Sequence, residues 1–126
     1  MVRFAYEPLR SSRAIRLIKF LPGSSPICQM ITVEVEKAPP YVALSYTWGS
    51  TELSRVILVN GSEVPITRSL AEAIDAIFIF ARERSMMFWA DSICINQADD
   101  HERGRQVRLM NSIYRSAEIV TIWLGP

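Results

Sequence analysis

Cysteine and histidine are scarce in this chain. Cys28 and Cys94 stand far apart, with no C-x-x-C pair and no Cys/His metal spacing, and His101 is the one histidine. That combination offers no zinc or iron–sulfur ligand set. It also gives no ground for assembling a Ser-His-Asp or Cys-His pair. Two isolated thiols suit a reducing compartment, and Cys94, in an apolar context, reads as a packed small residue rather than a nucleophile. No G-x-G-x-x-G or Walker pattern is present, so no phosphate loop is expected. Charge of one sign is lacking as well: 14 basic residues face 13 acidic ones. There is then no global field toward nucleic acid or an anionic membrane, and no interleaving of basic and aromatic residues to suggest the former. The longest apolar stretch, residues 76–81, falls far short of a membrane span, and no apolar leader opens the chain. The placement expected is cytoplasmic. Internal repeats and flexible linkers are missing too.

What remains is an apolar-rich chain of 126 residues, the size of one domain and long enough to bury a true core. Residues 14–20 and 31–36 read as strands that can pair as a hairpin, separated by the turn cluster Leu21-Pro22-Gly23-Ser24-Ser25-Pro26. Residues 41–46 read as a more buried strand, with Thr47-Trp48-Gly49-Ser50 as its loop. Asn60-Gly61 between apolar runs is a strong hairpin signal, because a type I′ turn needs positive φ at both central residues. Ser69 and Glu72 match a capping box, and Leu70, Ala73, Ile74, Ile77 and Ala81 then share a helical face. This helix should end near Arg84-Ser85.

Residues 86–90 form the next strand. Asp99 or Asp100 caps a second helix, whose expected apolar face is Val107, Met110, Ile113 or Tyr114, and Ala117. Residues 119–124 read as an interior parallel strand because they are apolar almost without break. The expected class is α/β, a mainly parallel sheet flanked by helices, with antiparallel N-terminal strands and a β-hairpin. Residues 1–126 are read as one domain. The stop at Gly125-Pro126, directly after a strand-like run, suggests that the C-terminal side is truncated.

The stretch Trp89-Ala90-Asp91-Ser92-Ile93-Cys94-Ile95-Asn96-Gln97 carries the densest set of polar candidates. A buried strand empties there into a polar loop at a helix N-terminus, the place where open α/β sheets bind ligands. The same words resemble the hallmark block of the fungal heterokaryon incompatibility (HET) domain family. Pro40-Tyr41-Val42-Ala43-Leu44-Ser45-Tyr46-Thr47-Trp48-Gly49 resembles that family's first block. Met110-Asn111-Ser112-Ile113-Tyr114-Arg115-Ser116-Ala117, leading to Ile122-Trp123-Leu124-Gly125, resembles its third.

The resemblance implies a cytosolic effector of non-self recognition that triggers programmed cell death. It implies protein partners of a cell-death pathway, or self-association, and no cofactor. A weaker likeness of that family to TIR domains, some of which cleave NAD with one glutamate at a strand–helix junction, implies a TIR or flavodoxin-like sheet and a second functional reading: an NAD or nucleotide hydrolase, with NAD as substrate.

For that reading Glu102 is the leading catalytic candidate. One carboxylate can suffice, because nicotinamide leaves as a neutral molecule and a carboxylate can steady oxocarbenium-like charge. The plainer role for Glu102 is to complement the helix dipole or close a box with Asp99. Asp91 would orient Glu102 or bind a ribose hydroxyl, or else accept bonds from loop N–H groups. Trp48 and Gly49 would stack on a ring and admit a close backbone approach, or be a core tryptophan and a turn glycine. Asn96 and Gln97 would read polar ligand groups or tie the loop to itself. Arg105 shares a helix face with Arg108, Ser112 and Arg115, a face that would stay solvated, dock an acidic partner, or reach a nucleotide phosphate from Arg105.

Overall fold

The computed structural model describes residues 4–23, 27–46 and 53–123. Seven strands build one sheet: β1 Ala14–Phe20, β2 Ile27–Glu34, β3 Tyr41–Tyr46, β4 Leu53–Val59, β5 Ser62–Thr67, β6 Met87–Ala90 and β7 Ile119–Trp123. A 3₁₀ turn, Val35–Lys37, follows β2. The helices are α1 Arg68–Glu83, the single turn α2 Asp91–Cys94, and α3 Asp100–Ser116. Among the described residues no helix is long and apolar enough to cross a membrane.

The strand order is β5-β4-β2-β1-β6-β3-β7. β3 pairs in parallel with β6 and β7, and β2 with β4. β1 is antiparallel to both β2 and β6, and β4 to β5. The α/β class and the flanking helices hold, but the sheet is mixed rather than mainly parallel, and a TIR or flavodoxin-like arrangement is not what it shows. The cause lies in β1. Ile15, Leu17 and Ile18 are wholly buried, so β1 is covered on both faces. A strand of that kind belongs in the middle of a sheet. The N-terminal hairpin is therefore the sheet's centre, not an addition to its margin.

β6 and β7 run parallel to one another as expected, though β3 lies between them. Neighbouring residues of a strand point to opposite faces, which places the helices. Phe88 stacks on Phe20, which meets Phe78 of α1 edge-on, while Trp89 meets Tyr114 of α3 edge-on. So α1 and α3 cover opposite faces of β6. α1 buries Leu70, Ala73, Ile74, Ile77 and Ala81, the stripe read from the sequence.

α3 keeps part of its expected face, with Ile113 buried and Tyr114 and Ala117 half-buried against the core, and departs from it at Val107. It buries Glu102, Gln106, Leu109 and Ile113, leaving Met110 half-buried and Val107 56% exposed. β7 departs as well: it is an edge strand, with Val120 46% and Ile122 65% exposed. An unbroken apolar run reports a preference for burial, not how many of its faces are covered.

Two turns follow from backbone rules. Asn60 and Gly61 both have positive φ, 53° and 79°, and close β4 onto β5 in a two-residue loop. The Asn60 side chain then accepts a hydrogen bond from the Met30 N–H at 2.9 Å, joining this hairpin to β2. At the start of α1 the cap is Thr67, whose hydroxyl accepts from the Leu70 N–H, and not the Ser69–Glu72 box; Glu72 instead pairs with Arg68 at 3.5 Å.

α1 ends with Ser85 at φ 53°. The Ser85 N–H reaches the Arg82 carbonyl and the Met86 N–H reaches that of Ala81, the pair of bonds that defines a Schellman cap. Glycine usually takes the left-handed position because it has no Cβ to clash there. Ser85→Gly is therefore expected to stabilise the fold by about 0.5–1 kcal/mol. Urea denaturation would measure it, and a loss of stability would show that the serine hydroxyl outweighs the strain.

Candidate functional site

β3, β6 and β7 are parallel, so their carboxyl ends open on one rim. β6 ends at Ala90, and the chain turns at once into α2. Ile93, Cys94 and Ile95 are buried and anchor this turn beneath the rim. Asp91 receives the turn's bonds at its carbonyl, from the Ile95 N–H at 3.3 Å and the Gln97 side-chain amide at 2.8 Å. Asn96 accepts from the Ala98 N–H at its side-chain oxygen. Asp99 caps α3 by accepting from the Glu102 N–H at 3.1 Å. Asn96 and Gln97 thus tie the loop to itself, one of the two roles open to them from the sequence.

Glu102 is buried, 4% exposed, and both of its oxygens are engaged. Arg16 of β1 approaches in a fork, Nη1 to one oxygen at 2.7 Å and Nη2 to the other at 2.8 Å. The Asn96 N–H adds a third bond at 2.7 Å. Arg16 is itself 1% exposed. It also donates to the carbonyls of Cys94 and Glu7, and the Tyr6 ring covers it at 4.8 Å. The Tyr6 hydroxyl donates to the Ile93 carbonyl, and burial pushes its pKa up to about 12. One ion pair therefore joins the N-terminal segment, β1, α2 and α3.

Asp91 is placed differently. It is half-buried at the end of β6, and burial raises its carboxyl pKa, against the N–H groups of Ser92 and its own backbone, which favour the charged form. Tyr114 of α3 stands near enough to feel it. Burial raises the Tyr114 phenol first and the Asp91 charge adds to this, while a hydrogen bond with the Ser45 side chain acts the other way. Asp91, Tyr114 and Ser45 thus gather where β6 and β3 end. Trp48 and Gly49 lie outside the described residues.

Arg105 is half-buried and donates to the Leu9 carbonyl at 3.4 Å. Burial pushes both thiols, Cys28 and Cys94, up to about 12, and the Cys94 sulfur accepts from the Ala90 N–H. A thiol so protonated is a poor nucleophile, as its apolar setting suggested. Among the described residues no group of three metal-ligating side chains occurs.

Sequence reasoning missed Arg16, Tyr6 and Tyr114 as members of this region. An arginine inside the strongly apolar run Ala14-Ile15-Arg16-Leu17-Ile18 was the available signal for Arg16. A buried charge calls for a buried partner of opposite sign.

The raised Asp91 pKa has a consequence for stability. The folded state holds its proton up to a higher pH than the unfolded chain does. Stability from this group is therefore greatest in acid and is lost as pH rises from the ordinary aspartate range through the folded pKa. Asp91→Asn is expected to raise Tm at neutral pH, with the gain shrinking toward acid pH. A pH series of melting curves would check it; a gain that grew in acid would reverse the assignment.

The sequence profile of the heterokaryon incompatibility protein (HET) family matches residues 41–126. The chain belongs to the HET family. The match takes in β3 through β7, and so includes Asp91, Glu102 and Tyr114 but leaves Arg16 outside. The HET chain is also 37% identical, over 141 aligned residues, to heterokaryon incompatibility protein 6, OR allele, of Neurospora crassa. That alignment covers 98% of this chain, Arg16 included, and 21% of the relative. The chain thus spans about a fifth of the length of this curated relative. No solved structure matches this HET chain.

Proposed function

We propose that this HET domain is a cytosolic effector of fungal non-self recognition, triggering programmed cell death by assembly or by binding a protein partner. Family membership and the Neurospora relative support the biological setting. The observation that favours assembly or partner binding over catalysis is the Arg16–Glu102 pair. A carboxylate bonded through both oxygens to a buried guanidinium has its charge neutralised, and has little left with which to steady a developing cation. Glu102 reads as architecture.

A second reading rests on Asp91. It is a half-buried carboxyl of raised pKa at a parallel-strand rim, and groups so perturbed cluster at functional sites. NAD or nucleotide cleavage would then draw on Asp91, with Tyr114 beside it.

One experiment separates the two. Wild type, Asp91→Asn and the double variant Arg16→Met/Glu102→Met would be purified and incubated with NAD, and each expressed in fungal cells to score growth. The double variant removes both buried charges together, so it should stay folded. The assembly reading expects no NAD consumption by any of the three and growth arrest by all. NAD consumed by the wild type and spared by Asp91→Asn would install the hydrolase instead.

A further inference from the structure

A cavity lies away from the Asp91 rim, at the other end of β6. Its volume is about 750 Å³, within the ordinary range for small-ligand pockets. Its floor is apolar: Phe20 from the end of β1, Ala81 from the last turns of α1, and Met86 and Met87 leading into β6. Two cations border it, Lys19 and Arg82, and among the described residues no acidic one lines it. Among the described residues neither cation makes an ion pair. The Arg82 guanidinium lies over the Phe78 ring at 4.9 Å. Lys19 is exposed on β1.

Each feature narrows the occupant. An apolar floor favours a hydrocarbon body, and methionines adapt to varied shapes through their unbranched, polarizable side chains. Two cations without ion-pair partners at the mouth favour a negative head group and disfavour a positive one. A nucleotide would need many more polar partners than this floor supplies.

We infer that this cavity binds an amphiphilic small-molecule anion, an aliphatic body seated on Phe20, Met86 and Met87 with its carboxylate between Lys19 and Arg82. Such a ligand would touch β1, the end of α1 and the entry to β6 at once. Binding there would thus brace the strand that carries Asp91 at its far end. The inference stands on this cavity alone, whichever reading of the rim holds.

The test uses the whole chain with ¹³C-methyl-labelled methionine, and three probes with the same ten-carbon body: decanoate, decanol and decyltrimethylammonium. Decanoate is expected to shift the Met86 and Met87 methyl signals saturably, leaving Met110 in place. Decanol is expected to bind roughly tenfold or more weakly, as loss of charge-assisted contacts implies, and the cationic probe more weakly still. Lys19→Gln with Arg82→Gln should lower decanoate affinity to about that of decanol. Equal binding of all three probes would overturn the anion preference. No saturable shift at Met86 and Met87 with decanoate would overturn the site. The comparison of probes on the wild type holds even if the double variant folds poorly.

Discussion

Replacing Arg16 by methionine alone is expected to cost about 3–5 kcal/mol of stability, and replacing both Arg16 and Glu102 by methionine far less. The asymmetry comes from desolvation. Both side chains are almost wholly out of water, 1% and 5% exposed, and each offsets the other's charge at a distance of 2.7 Å. Arg16→Met leaves the Glu102 carboxylate buried, with the main-chain N–H of Asn96 as its remaining hydrogen-bond donor among the described residues. The double change removes both charges and fills the space with flexible apolar chains. Urea denaturation of wild type, both single variants and the double variant forms a thermodynamic cycle. A single-variant loss below about 1 kcal/mol would mean that water reaches the pair. The same result would weaken the argument that Glu102 is too well neutralised for chemistry.

Phe88→Ala should be the most damaging apolar truncation, at about 3–5 kcal/mol. Phe88 is fully buried in the short central strand β6 and stacks on Phe20 at 5.1 Å between ring centroids. Removing it opens a void bounded by β1, β6 and α1, all held by their own hydrogen bonds, so little can collapse into the gap. Val107→Ala on α3 is the control. Its side chain is 56% exposed, and the change should fall within about 0.5 kcal/mol of wild type. Comparable losses at both positions, read from equilibrium unfolding, would contradict this placing of the core.

These two experiments bracket what the chain's residues announce unaided. Local signals were legible because they act over a few residues. Asn60-Gly61 dictates its turn through positive φ, Asp99 caps α3, and the 3.6-residue stripe of α1 packs as its periodicity implies. The strand-to-loop switch at Ala90-Asp91 likewise located the rim, since an apolar run cannot continue through so many polar side chains. Family words in three ordered blocks were legible for the same reason.

Tertiary structure decided what depends on partners distant in sequence. Whether the sheet is mainly parallel rests on where β1 inserts, and β1 meets β6 about seventy positions later in the chain. The α3 face is only partly legible because its inward side also carries Glu102 and Gln106, polar residues that become core only when Arg16 and the Ala14 carbonyl meet them. Val120 and Ile122 look like interior residues until the strand order puts β7 at an edge. The role of Glu102 turned on the same kind of fact. A lone acidic residue in a first helical turn is compatible with catalysis, capping or an ion pair, and the guanidinium that pairs with it stands 86 positions away. Pattern reports what a side chain prefers, whereas function here follows from which preference the folded chain satisfies.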